Sequence, residues 1–541
     1  SVKVDREEHP DVDAAFLAAA SAFTRQLGWP LTVFATPEGR AFFAGTYFPP
    51  RPVQGVPAFR QVLEAVVAAW TDRRTEVEAT GAAVAEALLA QPEVGDVALP
   101  DDARLADAVA ELAGLEDPQH GGFGVDAKFP NAPVLAFLAE RASHGDEAAR
   151  ALGDRLYAAT LALRDEVEGG FFRYAVRRDW TEPHYERMLS DNAQLLDLAT
   201  AHGDAEGADA VAGFLLDVLR LPGGAFASAQ DSESLVDGRR SEGGYYALDA
   251  AGRAAQPAPA LDEKVLAGLD GLAIGAFADA GVRFGRPEWV RAAAEAADAV
   301  VAVHLERTPD GPRLRRASFA GRVSDAVATL EDYGGLAGGL LRLALAEGDA
   351  DRAALARELV DACVTEDGVA APGGGDPVLA ARGITLDADR NEGATPSGAA
   401  LLADAAARLG GLVAPGYLEV AARALAPSLP AALERPIAYG STLAVAARLA
   451  APQAELVVVT REATAEHPLL AVARAWVRPG RTLAIVTEAQ AAALAVSGFA
   501  LFAERVTRGG APTAYLCEGF TCRLPTTDAG ELAGQLGSTA G

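Results

Sequence analysis

A chain of 541 residues with 75 acidic against 47 basic side chains carries a formal charge of -28, which would repel a nucleic-acid backbone or an anionic membrane over most of its surface. Half of the residues are hydrophobic, yet the apolar runs are short and broken by charge, so no stretch of about 20 residues is suited to span a bilayer. The length predicts two to four domains, and three cysteines without a signal-peptide pattern ahead of them predict a reducing, cytoplasmic protein with no disulfide framework.

Residues 1–96 read as a small α/β unit. The opening Ser1-Val2-Lys3-Val4-Asp5 alternates apolar and polar side chains and predicts a strand entered without any lead, as expected of a fragment whose own start lies upstream. Pro10 to Thr24 predicts a helix with Val12, Phe16, Leu17 and Ala20 on one side. Strands are expected at Leu31 to Ala35 and Ala41 to Phe43, then one long helix from Phe59 to Leu89. Trp29-Pro30, at the entry to a strand, is a place for a cis peptide in a tight turn.

Residues 97–452 carry an internal repeat. Helical periodicity recurs over 101–115, 132–144, 150–166, 184–202, 205–220, 263–282, 287–306, 329–346, 349–365, 396–409, 415–433 and 437–450. Glycine-rich, partly aromatic loops follow alternate helices, at Gly121 to Gly124, Gly169 to Tyr174, Gly223 to Phe226, Gly311 to Phe319 and Gly368 to Gly375. Twelve helices with such loops at every second junction predict a mainly α fold, an (α/α)6 toroid whose loops gather at one mouth. Segments from Asp270 and from Gly334 are small and apolar all round and suit an inner ring, whereas Trp289 to Asp298 is charged on one face and suits an outer one.

From 453 to 541 the pattern changes to a small α/β unit. Leu456-Val457-Val458-Val459-Thr460, Thr482 to Val486 and Ala514 to Cys517 read as short buried strands between alanine-rich helices. Cys517 and Cys522 flank Glu518 to Thr521 as a candidate redox pair, either a labile disulfide or two plain buried thiols. With His467 the only histidine in this part, no metal is expected there. Walker, GxGxxG, HExxH and GxSxG motifs are absent, so nucleotide, zinc-protease and serine-hydrolase readings lack their marks, and no cofactor is expected.

Five blocks in order, VKVDREEHPDVD, GWPLTVFATPEGRAFFAGTYFPP, GGFGVDAKFP, GGFFRYAVRRDWTEPHYERML and LEDYGGLAGGLL, resemble the YyaL-type thioredoxin-domain family, related to the spermatogenesis-associated thioredoxin-like protein. The resemblance implies a thioredoxin-like domain followed by a barrel like those of six-hairpin glycosidases and N-acylglucosamine 2-epimerases. It also implies a CxxC-type redox pair upstream of Ser1. Residues 1–96 contain no cysteine, so the resemblance makes this thioredoxin-like domain partial and without dithiol chemistry of its own.

The chemistry is expected where loops meet the starts of inner helices. In the sequence from Pro183 onward, His184, Met188, Asp191 and Leu195 fall on one helical face, with His184 and Asp191 about 10 Å apart along the axis. Proton transfer on a sugar needs paired carboxylates for hydrolysis, or a histidine with a second acid or base for epimerisation. The catalytic candidates are therefore His184, Glu186, Asp191, Asp231, Glu331 and Asp332. Phe123, Tyr174, Trp180 and Tyr333, with Phe172 and Tyr245, could offer faces to a sugar ring. Lys128, Arg173 and Glu242 complete the expected binding set, Lys128 because it is one of only three lysines in an arginine-rich chain. The expected function is proton-transfer chemistry on a small sugar or oligosaccharide in the barrel mouth. A thiol-disulfide or quality-control protein, with the barrel as recognition platform and the thioredoxin-like domain contacting a protein partner, is the alternative.

Overall fold

The computed structural model describes residues 1–24, 27–53, 55–89, 98–366, 368–373, 390, 392–462, 467–519 and 521–537. These fall into two units, Ser1–Gly95 with Gly373–Asn391, and Asp96–Pro372 with Glu392–Gly541.

In the first unit, α1 (Pro10–Ala20) packs with the antiparallel hairpin of β1 (Thr32–Ala35) and β2 (Ala41–Gly45), and α2 (Phe59–Asp72) and α3 (Arg74–Leu89) follow. Small side chains let these elements approach: Ala14, Ala15, Ala19, Ala41 and Ala44 are buried. The Trp29-Pro30 bond is cis, as expected. Two expectations fail. Val2 and Val4 are exposed and pair with no strand among the described residues, so alternation alone made no strand there. The single helix over Phe59 to Leu89 is broken at Arg73, whose φ of -133° is not helical.

The second unit is a closed toroid. Its outer helices are α4 (Asp102–Leu115), α6 (Glu147–Thr160), α8 (Ala205–Phe214), α11 (Pro287–His304), α13 (Ala350–Asp361) and α15 (Gly416–Leu425); a short α9 (Ala250–Ala254) lies in a connection. The inner helices are α5 (Ala132–Ser143), α7 (Leu189–His202), α10 (Ala267–Phe284), α12 (Leu330–Glu347), α14 (Gly398–Leu412) and α17 (Gly440–Ala450), with a short α16 (Leu429–Glu434) before the last. Each inner helix packs on the next, and α17 returns to α5, which closes the ring. Inner helices are buried nearly all round: Ala273, Ile274, Ala276 and Phe277 of α10 are wholly inaccessible. The glycines of α10 and α12 let the backbones touch. A Cβ on Gly271 would collide with the Gly335 carbonyl, and one on Gly339 with that of Gly271.

Connection length separates the two ends of the barrel. Inner-to-outer turns are minimal, and two share one device: Gly203 and Gly348, both at φ 70°, end α7 and α12 in the left-handed conformation. The Asp204 and Asp349 side chains that follow accept backbone N–H groups of the next helix. The outer-to-inner connections are long and carry the strands β3 (Tyr174–Ala175), β4 (Pro183–His184), β5 (Arg187–Met188), β6 (Ala229–Gln230), β7 (Glu233–Val236), β8 (Arg239–Glu242), β9 (Leu261–Asp262), β10 (Val265–Leu266), β11 (Leu305–Thr308), β12 (Gly311–Leu314), β13 (Ala317–Phe319) and β14 (Arg322–Val323). This is the mouth, at the N-terminal ends of the inner helices.

At the opposite end lies a four-stranded sheet in the order β16 (Arg481–Thr487), β15 (Ala454–Thr460), β17 (Thr513–Glu518), β18 (Thr521–Cys522), with β15 parallel to β16 and antiparallel to β17. Helices α18 (Pro468–Arg474), α19 (Glu488–Val496) and α20 (Ala529–Gly537) accompany it. The alternation of β15 divides its side chains: Val457 and Val459 join the core of the toroid, while Leu456 and Val458 join a smaller core with Leu469, Trp476 and Leu532. Gln490 Nε2 donates to Glu347 O at the end of α12, and Arg481 Nη2 to Ser143 O at the end of α5, so the sheet covers the end opposite the mouth. Cys517 and Cys522 are cross-strand neighbours joined as a disulfide, one of the two states expected of them. No helix among the described residues is long and apolar enough to cross a membrane, and no group of three or more His, Cys, Asp or Glu among them is placed to hold a metal ion.

Candidate functional site

The connection between α6 and α7 builds the heart of the mouth. β3 pairs with β4, setting Tyr174 opposite His184, and β5 pairs with β6 before α7 begins at Leu189. The expected helix from His184 is therefore wrong at its start. Trp180 and Glu182 adopt left-handed backbone (φ 64° and 56°), the chain doubles back, and the backbone of 183–188 is spent on strand pairing. His184 and Asp191 do not share a helical face. They still feel the charges of the same pair of side chains.

That pair is Arg173 and Glu186, joined at 2.5 Å. His184 Nε2 lies 3.7 Å from Glu186 Oε2, and Nδ1 lies 3.3 Å from Glu242 Oε1. The Glu186 carboxylate raises the His184 pKa above the ordinary value; burial opposes this and Glu242 assists. Reciprocally, His184 and Arg173 hold Glu186 down at about 2 against the opposing effect of burial, so it stays a carboxylate. Tyr174 stacks on the His184 ring at 4.9 Å and on Phe129 at 4.7 Å, making a short aromatic wall.

Asp191, in the first turn of α7, is 7 % exposed, and its Oδ2 has no hydrogen-bond partner among the described residues. Burial pushes its pKa up to about 7, with the positive charge of Arg173 and the negative charge of Glu186 both acting on it. The mouth thus brings together a histidine biased toward its charged form and a carboxyl that exchanges its proton near neutrality. Two groups of that kind can remove a proton from a substrate and return one.

The other expected residues are placed elsewhere or already occupied. Lys128 is fully buried, its ammonium donating to Asp117 Oδ2 at 2.8 Å and to the carbonyls of Gly121 and Gly124 at 2.9 and 2.7 Å. It ties the first glycine loop together and has no donor left for a substrate. Asp332 is buried and accepts from Thr329 N, Gly268 N and Arg316; Glu331 pairs with Arg316 at 2.7 Å. Both serve as helix-start anchors. Tyr333 is 1 % exposed, with its hydroxyl accepting from Leu314 N. Phe123 and Trp180 are buried, Trp180 donating Nε1 to His120 O, and neither presents a face to a ligand. Phe172 and Tyr245 are buried in a small aromatic cluster with Tyr246. Asp231 is exposed and accepts the Glu233 N–H within its own turn.

Sequence reasoning missed two residues of this end of the barrel. Asp270 sits in the first turn of α10, wholly buried; its Oδ1 accepts from Phe226 N at 2.9 Å, its Oδ2 has no partner among the described residues, and burial pushes its pKa up to about 8. An aspartate in the apolar first half of a helix was the available signal. Glu392 accepts the N–H groups of Ser441 and Thr442 at the start of α17. No spacing in the sequence marks that pairing.

Residues 1–89 match the family described as "Thioredox_DsbH: Protein of unknown function, DUF255", which bears out the resemblance to thioredoxin-domain proteins. Over 269 residues, 46% of this chain, the sequence is 36% identical to spermatogenesis-associated protein 20 of Homo sapiens. The chain spans about a third of the length of that relative, 34%. Among solved structures, it is similar to a cellobiose 2-epimerase from Spirochaeta thermophila, with a TM-score of 0.41 and 16% identity over 61% of this chain and 86% of that one. It is also similar to a GH76 alpha-mannanase of Bacteroides thetaiotaomicron, with a TM-score of 0.42 and 12% identity over 66% and 97% of the respective chains.

Proposed function

We propose that the barrel mouth carries out proton transfer on a sugar, an epimerisation or isomerisation at the carbon next to a carbonyl. The observation that carries this reading is the pairing of Asp191, a buried carboxyl with one unbonded oxygen and a pKa of about 7, with His184 across the shared Arg173–Glu186 pair. The Asp191 carboxylate takes the C2 proton, the electron pair of the C–H bond forms an enediolate, and the His184 imidazolium returns a proton. Glu186 and Glu242 sustain the charge on His184, and Tyr174 with Phe129 supports the apolar face of the ring. A cytoplasmic setting and a free or short-chain sugar substrate belong to this reading.

The test is proton NMR in D2O with free sugars, N-acylated sugars and short glycosides. Deuterium entering at C2 with the wild-type chain, and not with His184→Ala or Asp191→Asn, is the expected result. Change confined to glycoside anomeric signals would instead assign hydrolysis to Asp191 and Glu186.

A second reading, a thiol-disulfide or quality-control protein with the barrel as platform and a protein partner at the first unit, is favoured by the match of residues 1–89 to a DsbH-type thioredoxin model. Those residues hold no cysteine, so it would need a dithiol from outside them. Silence across the whole sugar panel would favour it.

A further inference from the structure

At the end of the barrel opposite the mouth, the C-terminal ends of α5, α7 and α10, the start of α6 and the segment from Ala475 to Pro479 line a half-open cavity of about 360 Å³. Part of its wall is apolar, from Leu138, Ala142, Ala149 and Val477. Three arginines also line it: Arg150, Arg283 and Arg478. Arg150 is held by Ala142 O at 2.8 Å and by exposed Glu147 at 3.4 Å. Arg283 and Arg478 pair with no carboxylate among the described residues, and the Arg283 Nε is buried without a hydrogen-bond partner. Among the described residues, the one carboxylate lining the cavity, Asp154, is 61% exposed and lies 3.5 Å from His202 Nε2.

This is an unusual arrangement in a chain with 75 acidic and 47 basic side chains, where a guanidinium has carboxylates to spare. An unbonded buried donor costs free energy unless something occupies it. The like charges feel one another: burial, and then Arg481, Arg283 and Arg150, push the Arg478 pKa below the ordinary arginine value. The carbonyl ends of α5, α7 and α10 offset part of that repulsion. The guanidinium fork matches the oxygens of phosphate, which can satisfy several such donors at once. A cavity of this volume exceeds what inorganic phosphate fills and falls in the range of small organic ligands.

We propose that this cavity binds a phosphorylated small molecule, its phosphate held by Arg283 and Arg478 with Arg150, and its organic part against Ala142, Ala149 and Val477. The site is independent of the mouth, and its ligand need not be the substrate there.

Isothermal titration of the full chain with glucose 6-phosphate, adenosine monophosphate and 3-phosphoglycerate tests it, with glucose, inorganic phosphate and sulfate as controls. Saturable binding of at least one ester is expected, weakened at least about ten-fold in Arg283→Met and in Arg478→Glu. The Arg478 side chain is only partly buried and reaches solvent, so its variant folds even if Arg283→Met does not. No binding by any ester, or wild-type binding by a folded Arg478→Glu, overturns the proposal. Inorganic phosphate binding as tightly as every ester overturns the assignment of an organic part.

Discussion

Asp191 and His184 make opposite demands on pH, and each can be read separately. The Asp191 carboxyl titrates at about 7 in the fold against about 3.9 in an unfolded chain, so the folded state holds the proton more tightly. Stability is therefore lost as pH rises from about 4 to about 7, by roughly 4 kcal/mol if the shift is complete. Asp191→Asn should raise the melting temperature at pH 8, leave it little changed at pH 4, and remove the proposed activity; urea unfolding at the two pH values together with the deuterium assay checks it. A variant equally destabilised at both would show that Asp191 is a packing group. For His184, loss of the Glu186 charge should lower the imidazole titration, since that carboxylate is the largest cause of its raised pKa. Histidine NMR titration of Glu186→Gln reads this directly, and an unmoved His184 resonance would separate the two residues. With the proton donor gone at lower pH, the same variant should lose activity on the alkaline side first.

Between elements, contacts of backbone on backbone leave less room than any side-chain packing. Gly335 of α12 lies against Gly268 of α10, where a Cβ would stand 2.5 Å from the Gly268 carbonyl oxygen. Backbone cannot yield as a side-chain tip does, so Gly335→Ala should cost about 1 to 3 kcal/mol despite the better helix propensity of alanine. Thermal unfolding measures it, and Gly338→Ala, with open space at its Cβ, is the control that should stabilise or be neutral. The sequence made these helices legible, because glycine and alanine in long apolar runs mark an inner ring and charged alternation marks an outer one. It did not reveal where α7 begins, because the periodicity of His184, Met188, Asp191 and Leu195 is indifferent to the strand pairing of 183–188 with Tyr174, Ala175 and Ala229, Gln230. For the same reason Asp332, in the first turn of α12, and Lys128, in a loop, looked functional: an anchor that saturates buried donors has the same composition as a site. Asp270 was hidden in the opposite way, a single acid inside a stretch read as core.

Across the whole molecule, the inner ring is tied by charge as well as by packing. Arg342 of α12 reaches Asp197 of α7 and Asp279 of α10, while Arg448 of α17 reaches Glu140 of α5 and Asp404 of α14, so two arginines between them touch every inner helix. Both lie deeper in the barrel than the mouth groups, toward the end covered by the sheet. A buried ion pair adds little when compared with apolar packing, but losing one partner strands the other. Glu140 is the most exacting case, with a side chain 1% exposed, 2.8 Å from Arg448 and 3.0 Å from His144. Burial pushes its pKa up, yet the charge of Arg448 and the hydrogen bonds of His144 and Arg448 more than compensate and leave it below the ordinary glutamate value. The wild-type contribution is accordingly present above about pH 4.3 and lost as pH falls further. In Arg448→Met the compensation is removed, burial prevails, and the fold must hold Glu140 protonated. The variant should lose about 3 to 5 kcal/mol at pH 8 and clearly less at pH 4. Adding Glu140→Gln should recover part of the loss at pH 8 and almost none at pH 4, which distinguishes a stranded charge from a simple cavity. Denaturant unfolding of the wild type, the single and the double variant at both pH values decides it, and a loss independent of pH would mean that the ring is closed by packing alone.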